Sequence, residues 1–269
     1  MTTTSDSAPR NNSASLRRAL SILQLLGDDL NGDGRTITQI ATELDLNKST
    51  VTRLLQPMLE TSFLEQAPGS GSYRLSWETA RLGQAYLSGV RPDRDMHEAL
   101  ATLSESTMET AHLVRSATPS VVYIDKVDSP HAVRMISRVG NTQPMYSTSV
   151  GKCILAFADD ETIQTVIDAG MPARTATTIT TAAGLRAELA TIREQGWAID
   201  DVENEDGIRC VAAPIFDASG GCSHAVSVSG PVSRVPRERV PELVPLVIAA
   251  ATDISRRMGA LPQDRRLPS

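Results

Sequence analysis

The sequence predicts an α+β chain of two domains, and three observations carry that expectation. The first ninety residues hold three short amphipathic helical patterns, followed by two brief strand patterns around PGSGS. Beyond them, strand-like stretches joined by turns and helices gathered elsewhere point to a mainly antiparallel sheet. At 269 residues the chain is also long enough to build two separate hydrophobic cores.

The opening MTTTSDSAPRNNSAS is polar and lacks an apolar h-region, so residues 1–14 are read as a disordered tail and export is not expected. In SLRRALSILQLLGDD, Leu16, Ala19, Leu20, Leu23 and Leu26 recur at helical spacing, with Ser15 as the candidate N-cap. Arg17 and Arg18 lie off that stripe. In the second pattern Ile37, Ile40, Ala41 and Leu44 form the apolar face, and Thr36 and Gln39 have the spacing of a capping box. The third places Val51, Leu54, Leu55, Met58 and Leu59 at i, i+3, i+4, i+7 and i+8.

Only Asp45, Leu46 and Asn47 separate the second and third helices, the short connection of a helix-turn-helix. Asn47 is placed to cap the third helix. Pro57 falls in its rear half, where the missing N–H either bends the helix or ends it near Gln56. Phe63–Gln66 and Tyr73–Leu75 then read as a hairpin, which after a helix-turn-helix is a wing. A recognition helix meets base edges and phosphates mainly through its leading turns. Lys48, Ser49, Thr50, Thr52 and Arg53 are therefore the expected DNA contacts, with Arg17, Arg18, Thr36 and Arg74 beside them. The competing reading of the same periodicity is a small helical bundle with no nucleic-acid role.

A winged domain over 15–76 leads to a helix from Trp77, with Ser76 as its candidate cap, and to a break at Gly89 and Arg91-Pro92. Residues 77–92 are read as linker helix and hinge. In the remainder, 93–260, a helix to about Thr107 carries Met96, Leu100 and Leu103 on one face. AHLVR, SVVYIDKV, AVRMISRV, WAIDDVE, IRCVAAPIF and HAVSVSG read as strands. Ser149–Phe157, Asp160–Ala169, Leu185–Gln195 and Pro236–Met258 read as helices, and 261–269 as a second tail.

Composition bounds the chemistry. A net charge of −6 argues against general affinity for nucleic acid but not against a local basic surface. Cys153, Cys210 and Cys222 are too few and scattered for a disulfide framework, and the four histidines show no ligand spacing. Neither a metal nor another cofactor is expected. No apolar run reaches the roughly 18 residues of a membrane span, so a cytoplasmic protein with no membrane contact is expected. A lone cysteine in a strand is read as core, and no catalytic residue is assigned.

Four stretches, in order, resemble the IclR family of bacterial transcriptional regulators: DLNKSTVTRLL, STSVGKCILAF, GWAIDDVENEDGIRCVAAPIFD and AVSVSGP. The resemblance runs from about Ser15 to Met258. It implies a GAF- or profilin-like effector-binding domain in the second half and operator DNA as the partner of the first. It also implies effector anchors at Asp200, Cys210, Ser227 and Ser229. Period-2 geometry independently puts Ser227 and Ser229 on one face of their strand. Gly151 is expected to let a ligand approach a helix start, and Met145 to form an apolar wall. The effector is expected to be a small organic or aromatic-acid-like metabolite. Paired half-sites require a symmetric dimer, and tetramers are common in the family. Two rivals stand beside this reading: a small-molecule enzyme with an accessory helical domain, and a metabolite-binding adaptor for other proteins.

Overall fold

A computed structural model describes residues 14–29, 32–67, 69–90 and 94–260. The chain divides into two compact units, Met1–Gly89 and Val90–Ser269. Residues 1–13 of the expected first tail, the whole of the second at 261–269, and residues 91 and 92 of the expected hinge lie outside the described residues, whereas Ala14, also expected in the tail, begins a helix.

The first unit runs α1 (Ala14–Gly27), α2 (Ile37–Glu43), α3 (Lys48–Glu60), β1 (Leu64–Gln66), β2 (Tyr73–Leu75) and α4 (Trp77–Val90). Its core gathers Ile22, Leu26, Ile40, Ala41, Val51, Leu54, Leu55, Met58 and Leu64. The capping box of α2 forms as the spacing predicts: the Thr36 hydroxyl accepts the Gln39 amide, and the Gln39 side chain accepts the Thr36 amide. β1 and β2 pair antiparallel, and Arg35 adds a single backbone bridge to Tyr73. Gly34, at φ +77°, makes that bridge possible, since a Cβ there would lie 2.6 Å from the Tyr73 carbonyl oxygen.

Several local expectations are corrected. Ser15 lies inside α1 rather than capping it. The buried face of that helix centres on Ile22 and Leu26, leaving Leu16 and Leu20 exposed at 60% and 49%. Asn47 has cap backbone geometry but no side-chain capping bond. Ser76 sends its hydroxyl to Glu65 at 3.0 Å instead of capping α4. Helix α3 continues through Pro57 to Glu60, so it does not end at Gln56. The buried face of α3 outweighs the lost bond.

The second unit runs α5 (Arg94–Thr107), β3 (Thr110–Ala117), β4 (Ser120–Val127), β5 (Thr142–Pro144), α6 (Ser149–Ala156), α7 (Asp160–Asp168), α8 (Ala182–Gln195), β6 (Ala198–Asp201), β7 (Ile208–Ile215), β8 (His224–Pro231), a short 3₁₀ turn and α9 (Val240–Arg257). The strands form one antiparallel sheet in the order β5-β4-β3-β8-β7-β6. Both faces are covered. Ala111, Leu113, Val211, Ala213, Val226 and Val228 pack with α5 and α9. Val114, Tyr123, Ala198, Ala212 and Ala225 pack with α6, α7 and α8. Alternation along each strand thus sends alternate residues into two different cores.

AVRMISRV does not form the expected strand: residues 132–139 pair with no strand among the described residues, and β5 takes the place beside β4 instead. Its side chains explain the difference. Met135 and Ser137 are buried while Val133 and Ile136 face solvent, and the Ser137 carbonyl accepts Lys126 Nζ at 2.7 Å. Burial alternates only over residues 134–138, and Ser137 is tethered to Lys126 rather than joining a ladder.

Candidate functional site

Two regions collect chemistry, one in each unit. In the first, packing of Val51, Leu54, Leu55 and Met58 turns the opposite face of α3 outward. Lys48, Ser49, Thr52 and Arg53 are exposed and Thr50 is partly buried. Thr52 bonds its hydroxyl back to the Lys48 carbonyl at 2.9 Å. The free amides of the first turn add a partial positive charge at that end. Neither Lys48 nor Arg53 has an ion-pair partner among the described residues. Arg17 and Arg18 are exposed on α1.

The other two expected contacts are already occupied. Arg74 donates Nε and Nη2 to Glu65 Oε1, both at 2.7 Å, and the guanidinium holds the Glu65 carboxyl below its usual range. A phosphate would have to compete with that carboxylate. The Thr36 hydroxyl is spent on its capping box, where it also donates to Gln39 Oε1 at 2.8 Å.

The second region is a narrow, partly open cleft on the α6 side of the sheet. Asp200, Cys210, Ser227 and Ser229 all line it. Strand register explains why. Asp200 pairs with Cys210 and Cys210 with Ser229, so three strands present one row of polar groups; Ser227 lies one row on, opposite Ala212. The first residues of α6, Ser149 and Val150, form another side with Thr148. Tyr123 and Met135 supply the apolar wall, and Asn204 and Glu205 the rim.

Met145 and Gly151 do not line it. Met145 is fully buried in the neighbouring core. Gly151 lacks a side chain for a different reason than ligand access: a Cβ there would stand 2.4 Å from the Met145 Cα and 2.5 Å from its carbonyl oxygen. Its amide is also taken, by the Thr148 hydroxyl at 3.2 Å. Gly151→Ala is therefore expected to force α6 away from the 145 backbone and to cost about 1–3 kcal/mol, read as a lower urea midpoint.

The electrostatics of the cleft are unusual because no Lys or Arg lines it. Burial pushes Asp200 up to about 7, against the opposing pull of the amides of Glu203 and Asn204, which its Oδ1 accepts at 2.7 and 3.3 Å. Burial also pushes Cys210 up, so it stands as a thiol beside Ser229. A neutral thiol with no base beside it suits packing and weak hydrogen bonding rather than nucleophilic attack.

Sequence reasoning missed what holds Asp200 in place. Val202, with φ +63°, is a β-branched residue in the left-handed region. Thr175 and Thr177 donate to its carbonyl at 2.6 and 2.8 Å, and Thr178 donates to the Glu203 carbonyl at 2.6 Å. The threonine-rich run TATTITT was the visible signal. It reads as a loop until the strand-end turn it clamps is known.

Residues 15–68 match the IclR helix-turn-helix domain, and residues 84–256 match the bacterial transcriptional regulator IclR C-terminal domain. The chain belongs to the IclR family. It is a DNA-binding transcriptional regulator rather than an enzyme. It is 36% identical over 248 residues to the HTH-type transcriptional regulator KdgR of Escherichia coli, covering 91% of this chain and 93% of KdgR. The crystal structure of the Thermotoga maritima IclR superposes with a TM-score of 0.70 at 30% identity, covering 91% of this chain and 98% of that one. An IclR homolog from Microbacterium hydrocarbonoxydans, complexed with 4-hydroxybenzoate, shares the fold with a TM-score of 0.76 at 22% identity, over 91% and 99% of the two chains. Among the described residues no helix is long and apolar enough to cross a membrane.

Proposed function

We propose that this IclR-family regulator is a cytoplasmic homodimer, or a homotetramer built from it, that reads paired operator half-sites with the leading turns of α3. A small organic or aromatic acid in the cleft of the second unit sets its affinity for DNA. The exposed, unpaired Lys48 and Arg53 at the front of an otherwise well-packed helix carry the DNA half of this reading. Symmetry follows from the short reach of one recognition helix. The effector acts only to the extent that it binds two arrangements of the oligomer unequally.

Support for the acid comes from the cleft itself. The start of α6 offers amides, Ser227 and Ser229 offer hydroxyls, and Asp200 in its protonated form is a donor. Titrating salt against binding to the DNA upstream of the gene separates a regulator from a protein-binding adaptor, because phosphate contacts release counterions. Arg53→Ala is expected to lower operator affinity about 10- to 100-fold, the worth of one guanine or phosphate contact, without moving the melting temperature. Unchanged affinity in a gel shift would remove Arg53 from the interface. For the cleft, melting-temperature shifts are measured across a panel of acids. At pH 6, where Asp200 holds its proton, Asp200→Asn and Ser229→Ala must each reduce the shift of any acid that binds.

A further inference from the structure

One buried histidine packs beside the cleft lining, on the same face of the sheet as Ser227 and Ser229. His112 on β3 is fully buried. Its Nε2 shares a hydrogen bond with Ser137 Oγ at 2.7 Å, and its Nδ1 shares one with Ser229 Oγ at 3.4 Å. The ring lies 4.8 Å from that of Tyr123, the apolar wall of the cleft. Burial, together with the Lys126 charge, pushes its pKa down to about 3, so the imidazole is neutral at any working pH. A neutral imidazole has one N–H and one acceptor nitrogen. It has two hydroxyl partners.

That arithmetic couples the partners. With the proton on Nε2, the ring donates to Ser137 and accepts the Ser229 hydroxyl proton; Ser229 then offers the cleft only lone pairs. With the proton on Nδ1, the ring donates to Ser229, whose own O–H is released toward the cleft, while Ser137 turns its hydroxyl to donate to Nε2. Only two hydroxyls rotate and one ring proton changes site; no charge is created. Ser137 does not need to move, because its carbonyl is held by Lys126.

We propose that His112 is a specificity-determining residue of the effector cleft, whose tautomer decides whether Ser229 meets the bound molecule as a donor or as an acceptor. This rests on the cleft being the effector site. A carboxylate selects the Nδ1–H form, because it accepts and cannot donate. A ligand hydroxyl or a protonated acid is served by the Nε2–H form. A site built for one hydrogen-bonding pattern rejects the other strongly; here both patterns are available at the cost of one tautomer shift. Ser137 lies outside the cleft lining and serves either form, as acceptor of Nε2–H or as donor to bare Nε2.

The test uses the full-length protein with ¹⁵N-labelled histidine, the His112 signals being assigned by their loss in His112→Gln. In the ligand-free protein, Ser137→Ala leaves Nε2 without a partner in either form; an orphaned buried N–H costs more than a bare acceptor nitrogen, so the ring should move toward Nδ1–H. The same variant should tighten binding of an acid probe about 2- to 10-fold, the inverse of the ligand-free fraction already in that tautomer. Benzoate, 4-hydroxybenzoate and pyruvate, each titrated by calorimetry, are the probes. Whichever binds should shift the ring to Nδ1–H, and Ser229→Ala should abolish that shift. A ring spectrum that is the same in wild type and Ser137→Ala overturns the proposal without any ligand. So does a bound acid that leaves the tautomer unchanged. Silence of all three probes counts instead against the acid-effector reading, and the ligand-free comparison still decides the role of His112.

Discussion

Lys152→Met is expected to remove about 3–5 kcal/mol from the stability of the second unit, the loss that follows when one partner of a buried ion pair is deleted. Lys152 is completely buried on α6, with Nζ 2.5 Å from Glu203 Oε1 and 3.1 Å from Glu188 Oε1. Glu203 is itself buried, and its Oε2 already lacks a hydrogen-bond partner. Burial raises the Glu203 pKa, and Lys152 is the main force holding it down. Without Lys152 the carboxylate either stays charged in a dry site or takes up a proton. Proton uptake limits the loss at low pH, so the destabilisation should be larger at pH 8 than at pH 5.

The thermal midpoint should fall by about 10 °C, for a unit of this size. Lys152→Met combined with Glu203→Gln should recover much of the loss, since no unpaired charge then remains. Urea unfolding at the two pH values checks both statements. A single variant within about 1 kcal/mol of wild type at pH 8 would show that the pair is not what holds this corner together. The corner matters for the cleft because the Glu203 amide is a donor to Asp200.

Asp200→Asn is expected to flatten the pH dependence of both stability and effector binding. The sign follows from a raised pKa. Folded Asp200 titrates at about 7 against 3.8 for the ordinary group, so between these values the folded state holds a proton that the unfolded state has lost. The contribution is fully present below pH 3.8 and is lost as pH rises through 7. A shift of this size corresponds to at most about 4 kcal/mol. Asparagine keeps the acceptor for the Glu203 and Asn204 amides and carries no proton to lose, so the variant should match wild type near pH 4 and exceed it at pH 8.

Binding of an anionic acid follows the same proton. Wild-type affinity should fall as pH rises above 7, by up to about tenfold per unit. Binding near pH 7.5 should also draw in a proton, visible as a buffer-dependent heat in calorimetry. The Asn variant should show neither effect. Equal affinity of wild type for the acid at pH 6 and pH 8 would mean that Asp200 does not face the ligand's charge.

The wing and the three helices were legible in the residues because each is a local pattern. The capping box of Thr36 and Gln39 needs only four residues, and the α3 stripe needs only a face to bury. The cleft was legible in another way. Ser227 and Ser229 share a strand face by period alone, but placing Asp200 and Cys210 beside them depended on family resemblance, since residues on different strands are aligned only by register. Local pattern misled where a side chain had a distant partner. AVRMISRV alternates like a strand, yet Ser137 is held by His112 and Lys126, and Ser76 gives its hydroxyl to Glu65 rather than to its helix.

Periodicity, caps and turn residues therefore determined on their own that this chain carries a helix-turn-helix with a wing and a sheet-bearing second unit. Those signals act between residues a few positions apart. Tertiary structure alone decided that Lys152 is buried, that Arg74 is neutralised, that Gly151 exists for the backbone of Met145, and that His112 stands beside Ser229. Each depends on a partner brought near by folding, and the energy of a charge or a hydrogen bond is set by that partner and by the water it displaces.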